Sequence, residues 1–430
     1  MTIKNKSNRP RVVITGLGAM SPLGESPETF WDGLVTGTSG IDKMVITDPT
    51  EFPCKFSGEV LGFDPTDYMD RKEARRMGRF SQFAVAAAQQ ALSHSGLDLD
   101  KEDRERIGVV LGNGSGGYPE TEQAVRTLVG RGGMKINPFY LPTMLCNMAA
   151  ANVSRLNGLY GYTNTIVTAC AAGTQGIGEA AEAIRRGAAD VIISGGTEAG
   201  LCQLGQGGFN VINALTRRTD DPTKVSRPFD ADRDGFVPAE GAGVLILESL
   251  EHAISRGANI LAEILGQASS SDAFHLVQPD DQGAGAARAI IWALEDAGIS
   301  GSDINYINAH GTSTPLNDLA ETKAIKKAFG SHAYKIPISS TKSMIGHALG
   351  GAGALEAIAC IKSIENNIIH PTVNYETKDK ECDLDYVPNK ARKTRVDITL
   401  SNSFGFGCLL YTSDAADERS SVDLGGRRII

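Results

Sequence analysis

The chain has 430 residues, 42 Lys and Arg against 51 Asp and Glu, and a formal net charge of −9. Its length exceeds the roughly 250–300 residues at which a single core stops growing, so two core units are expected. The acidic balance argues against a nucleic-acid partner, and no apolar run reaches the ~18 residues that a membrane span needs.

The opening residues, MTIKNKSNRPRVVITG, form a short polar stretch that runs into a strand and lack the apolar core of a signal segment. The seven Cys are scattered, odd in number and without a CxxC pair. That pattern argues against a disulfide framework and predicts a reducing, cytoplasmic setting.

Short apolar runs then alternate with amphipathic stretches, the pattern of an α/β fold. Residues 11–18 (RVVITGLG) read as a strand, 81–95 as an Ala-rich helix and 107–111 as a buried strand. Residues 165–168 read as a strand entering Cys170. A helix over 173–187 follows, with Ile177, Ala180, Ala181 and Ile184 on one face and Gly187 as its stop. Strands are predicted at 191–194, 244–247, 260–265 and 304–308, with a helix at 283–297. The last elements are a helix from near Leu316, a short strand near Ile336 and an Ala/Gly-rich helix near Gly350. TIVTACAAGTQGIGEAAEAI and IPISSTKSMIGHALGGAGALEAI share one layout of strand, polar turn, Gly-rich helix start and Ala-rich helix. Two similar halves joined near residues 249–259 are therefore expected, with one large doubly wound sheet as the alternative.

Cys170 lies between a buried strand and a helix start, where free N–H groups and the helix dipole favour thiolate. Its neighbours Ala169, Ala171, Ala172 and Gly173 are small and leave room for a substrate. A buried, inert thiol is the competing reading. His310 sits in NAHGTSTPLND and His347 in TKSMIGHALGGAG, both between strand and helix, in a chain with only seven His. A Cys and two His at such corners form a nucleophile-plus-base constellation. Zinc is the rival, but no HxxxH or CxxC spacing is present.

Three other patterns fail. TGLGAMSPLG has Ser21 where a dinucleotide loop needs its third Gly. DADRDGFVPAEG offers Asp230, Asp232 and Asp234 in calcium-loop order, but Gly241 stands where the bidentate Glu belongs. No phosphate-binding GxxxxGK[ST] loop occurs.

At the three corners the sequence resembles the β-ketoacyl-acyl-carrier-protein synthases of the thiolase-like fold, over residues 11–407. The resemblance rests on VTACAAGTQGIGEA, SRPFDADRDGFV, NAHGTSTPLND, STKSMIGHALGGAGALE and SNSFGFG, in order. It implies a five-layered αβαβα fold from two fused halves, 11–257 and 258–412, and a homodimer. It also implies elongation of an acyl thioester by malonyl-carrier with loss of CO2, without metal or organic cofactor. Carried over, Cys170 is the acyl-accepting nucleophile and His310 and His347 are the catalytic histidines. Lys342 and Glu356 match the supporting charged pair, and Thr312 and Thr314 match positions that hold the pantetheine arm. Phe406 matches the gating aromatic whose N–H joins that of Cys170 in an oxyanion hole. Ser115 aligns with a position lining the acyl pocket, where a small side chain leaves room for long chains.

The implied partner is acyl carrier protein. Arg71, Lys72, Arg75 and Arg76 make a basic stretch in the segment that matches its docking surface; a solvated helix face is the plain alternative. Rival activities on this fold are a thiolase, which needs a second reactive Cys near Cys408, a polyketide ketosynthase, and a non-catalytic chain-length-factor-like subunit lacking the nucleophile. After Gly407 the sequence departs from the family, reading CLLYTSDAADERSSVDLGGRRII. Residues 409–411 are expected to pair as a shortened strand, and 413–430 to lack order.

Overall fold

The computed structural model describes residues 9–407 and 409–416. Ten strands form one hydrogen-bonded sheet: β1 (Val12–Met20), β2 (Ile107–Gly112), β3 (Thr163–Ile166), β4 (Val191–Glu198), β5 (Gly241–Ser249), β6 (Ala262–Ser271), β7 (Tyr306–Asn308), β8 (Ile338–Ser339), β9 (Ile398–Gly405) and β10 (Leu409–Ala416). Their spatial order is β8-β7-β9-β10-β6-β1-β5-β4-β2-β3. The two expected architectures are thereby reconciled, because the continuous order consists of two five-strand halves of identical plan. In one half β1 pairs antiparallel with β5, β5 antiparallel with β4, β4 parallel with β2 and β2 parallel with β3. In the other, β6, β10, β9, β7 and β8 repeat those relations in the same order. The halves meet through β1 and β6, where Val12–Ile14 pair with Ala262–Ile264.

Helices complete five layers. Helix α1 (Arg79–Ser95) covers β1 and β5, and α2 (Tyr118–Arg131) lies further along the same half. Helix α3 (Ala172–Arg185) follows Cys170, and α4 (Gln203–Val211) packs on α2. In the second half α5 (Ala284–Ala297) covers β6 and β10 and packs on α6 (Pro315–Phe329), while α7 (Ala352–Asn366) follows His347. Helices α3 and α7 touch each other and strands of both halves, and so form the central layer.

The glycines of TGLG have a packing role. A Cβ on Gly16 would come within 2.2 Å of the Ala91 carbonyl oxygen, and one on Gly18 within 1.9 Å of that of Ala87. Bare backbone on β1 lets α1 approach closely, with the run Ala84–Ala88 fully buried beneath it.

Several expectations shift. The strand before Cys170 ends at Ile166, because Val167 and Thr168 already turn toward the corner. Helices α2 and α4 are additional to the elements expected from the sequence. Strand β10 runs through Ala416 in unbroken pairing with β9 and pairs with β6 on its other side. Ser413–Ala416 are therefore ordered, contrary to expectation: backbone hydrogen bonds to two neighbours hold a strand without the apolar alternation that the sequence lacks here. Cys408 and the rest of the atypical segment lie outside the described residues.

Candidate active site

The corner at Cys170 is a single 3-10 turn, Ala169–Ala171, leading into α3. Ala169 has φ +49°, a left-handed conformation that a side chain with Cβ disfavours. The second half repeats the device: the turn Leu349–Gly351 leads into α7, and Leu349 has φ +46°. By this correspondence Gly350, not His347, occupies the counterpart of the Cys170 position.

Cys170 is 8% exposed and lines a cavity of about 520 Å³. The backbone N–H groups of Cys170 and Phe406 lie near enough to its sulfur to favour the charged form. Burial pushes the thiol up to about 12, against the opposing pull of Lys342 and those N–H groups. The resting group is the neutral thiol rather than the thiolate expected from its place at a helix start; loss of hydration outweighs the amides.

His310 and His347 line the same cavity, their ring centroids 5.3 Å apart and the rings nearly perpendicular. Each has a defined proton. Lys342 Nζ lies 3.3 Å from His310 Nδ1 and donates to the His310 carbonyl oxygen at 2.7 Å. An ammonium only donates, so His310 Nδ1 accepts and the ring proton sits on Nε2. For His347 the backbone N–H of Leu349 donates to Nδ1 at 3.3 Å, which also leaves the proton on Nε2. Burial, reinforced by Lys342, holds both imidazoles well below their ordinary range, so both are neutral N–H donors.

Lys342 pairs with Glu356, and both side chains are 1% exposed. Glu356 does not line the cavity, so its contact is with Lys342 rather than with a bound molecule. Thr312 and Thr314 line the cavity with their hydroxyls 2.9 Å apart, and Thr314 also caps α6. Phe406 forms part of the rim, its ring 6.1 Å from Phe209. Phe209 lies 5.3 Å from Phe236, which lies 5.3 Å edge-on from His347, so an aromatic row leads inward from the rim. Ser115 does not line this cavity: its Oγ donates to buried Glu198 at 2.7 Å.

Residues 9–253 match the family model described as Beta-ketoacyl synthase, N-terminal domain, and residues 261–376 match Beta-ketoacyl synthase, C-terminal domain. The chain belongs to the β-ketoacyl synthase family. A 3-oxoacyl-[acyl-carrier-protein] synthase 2 from Synechocystis is 49% identical over 93% of this chain and 96% of that protein. The protein of the same name from Coxiella burnetii is 47% identical over 92% and 96%. Among solved structures, a β-ketoacyl synthase from Burkholderia phymatum matches with TM-score 0.88 and 37% identity, over 95% of this chain and all of that one. A type II PKS ketosynthase solved with its acyl-carrier protein matches with TM-score 0.87 and 37% identity, over 95% and 99%.

In this β-ketoacyl synthase several residues that support the site went unread in the sequence. Glu321, on α6, accepts the N–H groups of His310 and Gly311, each at 2.8 Å, and burial lifts its carboxyl to about 7. Glu198, at the end of β4, accepts the N–H groups of Gly114 at 2.8 Å and Gly350 at 3.1 Å. Only Glu198 carries a signal in the sequence, as an acid closing the otherwise uncharged strand VIISGGTE. The acid-rich DADRDG segment is a bracket: Asp230 accepts the N–H groups of Asp232, Glu376 and Thr377, and Asp234 those of Arg217 and the Thr216 hydroxyl. It positions Phe236. Among the described residues no group of three or more His, Cys, Asp or Glu is arranged to hold a metal ion.

The basic stretch lies apart from the cavity. Arg71, Lys72 and Arg75 are exposed, whereas Arg76 is half-buried, 3.7 Å from Glu73 and stacked 5.3 Å above the Phe139 ring. Arg75 borders a separate depression of about 330 Å³ beside α2, and α2 packs on α4, which supplies Phe209 to the cavity. Among the described residues no helix is long and apolar enough to cross a membrane.

Proposed function

We infer that this β-ketoacyl synthase joins an acyl group held on Cys170 to malonyl-acyl carrier protein, releasing CO2 and giving 3-oxoacyl-acyl carrier protein in fatty acid elongation. The observation that carries this reading is the pair of neutral imidazoles beside Cys170, each with Nδ1 occupied and Nε2–H available. First, the sulfur of Cys170 attacks the acyl-carrier thioester, and its proton leaves with the departing carrier thiol. The N–H groups of Cys170 and Phe406 receive the developing oxyanion. Malonyl-carrier then enters, its pantetheine arm along Thr312 and Thr314. The bond to the carboxylate breaks, CO2 departs, and the electron pair is held as an enolate by the two Nε2–H donors. The enolate carbon attacks the acyl-Cys170 carbonyl, the carbon–sulfur bond breaks, and the thiolate takes a proton from solvent water. Lys342 fixes the His310 proton, and Glu356 fixes Lys342.

Arg71, Lys72, Arg75 and Arg76 contribute to docking of the acidic carrier, while Ser115 is held by Glu198 outside the cavity. Homodimerisation and a cytoplasmic location belong to the same reading, as does a division into halves at residues 257–258. Polyketide synthesis is the second reading, favoured by the polyketide ketosynthase among the structural relatives; the higher identity to 3-oxoacyl synthases supports the first. Incubation with labelled acyl-carrier and malonyl-carrier tests it. A label on Cys170 followed by 3-oxoacyl-carrier is expected; no label would favour a non-catalytic subunit, and iterative poly-oxo products would favour the polyketide reading.

A further inference from the structure

Behind the cavity, where no substrate reaches, His370 is fully buried among hydroxyls. Its Nδ1 lies 3.0 Å from the carbonyl oxygen of Pro371. A carbonyl only accepts, so Nδ1 carries the ring proton and Nε2 accepts. That nitrogen faces Tyr306 Oη at 3.1 Å, Thr341 Oγ1 at 3.2 Å and Asn308 Nδ2 at 3.4 Å. Burial pushes His370 down to about 4, which keeps it a neutral acceptor.

The groups it gathers belong to two adjacent chain segments. Tyr306 and Asn308 are the ends of β7, two residues short of His310. Thr341 comes one residue after β8, beyond Ser340, and precedes Lys342. Between these strands Tyr306 Oη is 2.8 Å from Ser339 Oγ, and Asn308 Nδ2 donates to Thr341 Oγ1 at 3.0 Å. The ladder between β7 and β8 is only two residue pairs long, Ile307 with Ile338 and Asn308 with Ser339. So short a ladder leaves the separation of the two segments largely to side chains: Ser340 Oγ donates to the Gly311 carbonyl at 2.7 Å, and the single Nε2 lone pair of His370 lies between the hydroxyls of Tyr306 and Thr341, one from each segment. Beyond the ladder Lys342 Nζ lies 3.3 Å from His310 Nδ1 and donates to the His310 carbonyl at 2.7 Å, so the distance between the two segments bears on both contacts.

We propose that His370 is a positioning residue for enolate formation: it clamps the segments carrying His310 and Lys342, and so keeps the His310 proton on Nε2. The proposal rests on the decarboxylative function above. It assigns His370 no contact with substrate, and it predicts an effect on the decarboxylation step out of proportion to that on acyl transfer to Cys170, which does not use the His310 proton.

The test compares the full-length wild type with His370→Phe, which keeps ring volume without an acceptor, and His370→Gln, whose side-chain oxygen reaches the Nε2 position. Three quantities are measured: decarboxylation of malonyl-carrier, acylation of Cys170 by acyl-carrier, and the His310 tautomer by imidazole 15N NMR. In His370→Phe decarboxylation should fall about tenfold, the loss expected when buried hydroxyls lose their acceptor. Acylation should change far less, and His310 should show mixed tautomers. His370→Gln should restore both the rate and the single Nε2–H tautomer. Tyr306→Phe, which removes one clamped hydroxyl with little change of shape, should reproduce the bias on a smaller scale and serves if His370→Phe does not fold. Equal losses in both half-reactions, or a His310 that stays on the Nε2–H tautomer in these variants, would overturn the proposal. The tautomer needs no substrate, so it tests the clamp independently; a wild type that acylates Cys170 but never decarboxylates malonyl-carrier would count instead against the function.

Discussion

Replacing Lys342 with Met should separate the structural and chemical duties of one side chain. Lys342 and Glu356 form a pair 1% exposed at each end. Removing one partner of such a pair typically costs about 3–5 kcal/mol, because the other charge stays buried without compensation. Against a total stability of ~5–15 kcal/mol that loss is large. Burial already biases Glu356 toward its neutral form, so the carboxyl can relieve part of the loss by taking a proton. Lys342→Met combined with Glu356→Gln removes both charges and should recover about half of the lost stability or more. Urea unfolding of the wild type, both single variants and the double variant gives the coupling directly, expected at about 1–3 kcal/mol. Chemistry should not recover with stability, because the double variant still lacks the donor that fixes His310 Nδ1. Decarboxylation should stay at least about tenfold down in both Lys342 variants, while acylation of Cys170 persists. Strictly additive unfolding energies, or full decarboxylation by the double variant, would refute the argument.

Other expectations follow from the same geometry. His310→Ala and His347→Ala should each lower malonyl-carrier decarboxylation by about 10²–10³, the usual loss for one oxyanion donor, while Cys170 still takes an acyl label; normal decarboxylation by both would remove the enolate role. Arg75→Glu should raise KM for carrier-bound substrates by about two- to tenfold and leave a small pantetheine thioester unaffected, with added salt acting alike. Arg76→Glu should do less to docking and more to stability, since Arg76 already engages Glu73 and the Phe139 ring. His252 gives a pH signature: its hydrogen bond to Glu248, helped by Glu102, raises it to about 8. A folded value above the unfolded ~6.5 contributes stability that is complete below about pH 6.5 and lost as pH rises through 8, roughly 1–2 kcal/mol in all. Thermal midpoints of wild type and His252→Gln should therefore converge between pH 6 and pH 9; parallel curves would contradict it.

Most of the site was legible in the sequence because its chemistry is concentrated in short turns. His310 and His347 each follow a buried strand and Cys170 a partly exposed edge strand, and glycines beside them mark corners where backbones pass closely. The two-half plan was legible for a related reason, since the repeated turn-and-helix pattern encodes the matched corners at Ala169 and Leu349. What escaped was whatever depends on partners distant in sequence. Glu321 and Glu198 read as ordinary helix and strand residues until the N–H groups they receive are placed beside them. His370 lies outside the motifs, in IIHPTVN, and its importance comes from Tyr306 and Thr341. The thiolate expectation failed similarly, because helix-terminus position is readable in a sequence and depth of burial is not. The full length of β10 is not legible because its sequence lacks apolar alternation, whereas a strand flanked on both sides is held largely by its backbone.

The position of β10 also orders the events of synthesis. In each half the strand next to the seam strand is the last of its five to leave the ribosome: β5 slots between β1 and β4, and β10 between β6 and β9. The first half can therefore close as soon as residue 249 emerges. The second must hold a gap one strand wide, with β6 and β9 presenting open hydrogen-bonding edges, until residues 409–416 arrive. Those eight residues decide when the nascent enzyme stops being a target for strand-edge association. A stop at residue 408 would fix the chain in that open state, with Cys170 and both histidines already made but the sheet behind them unfinished.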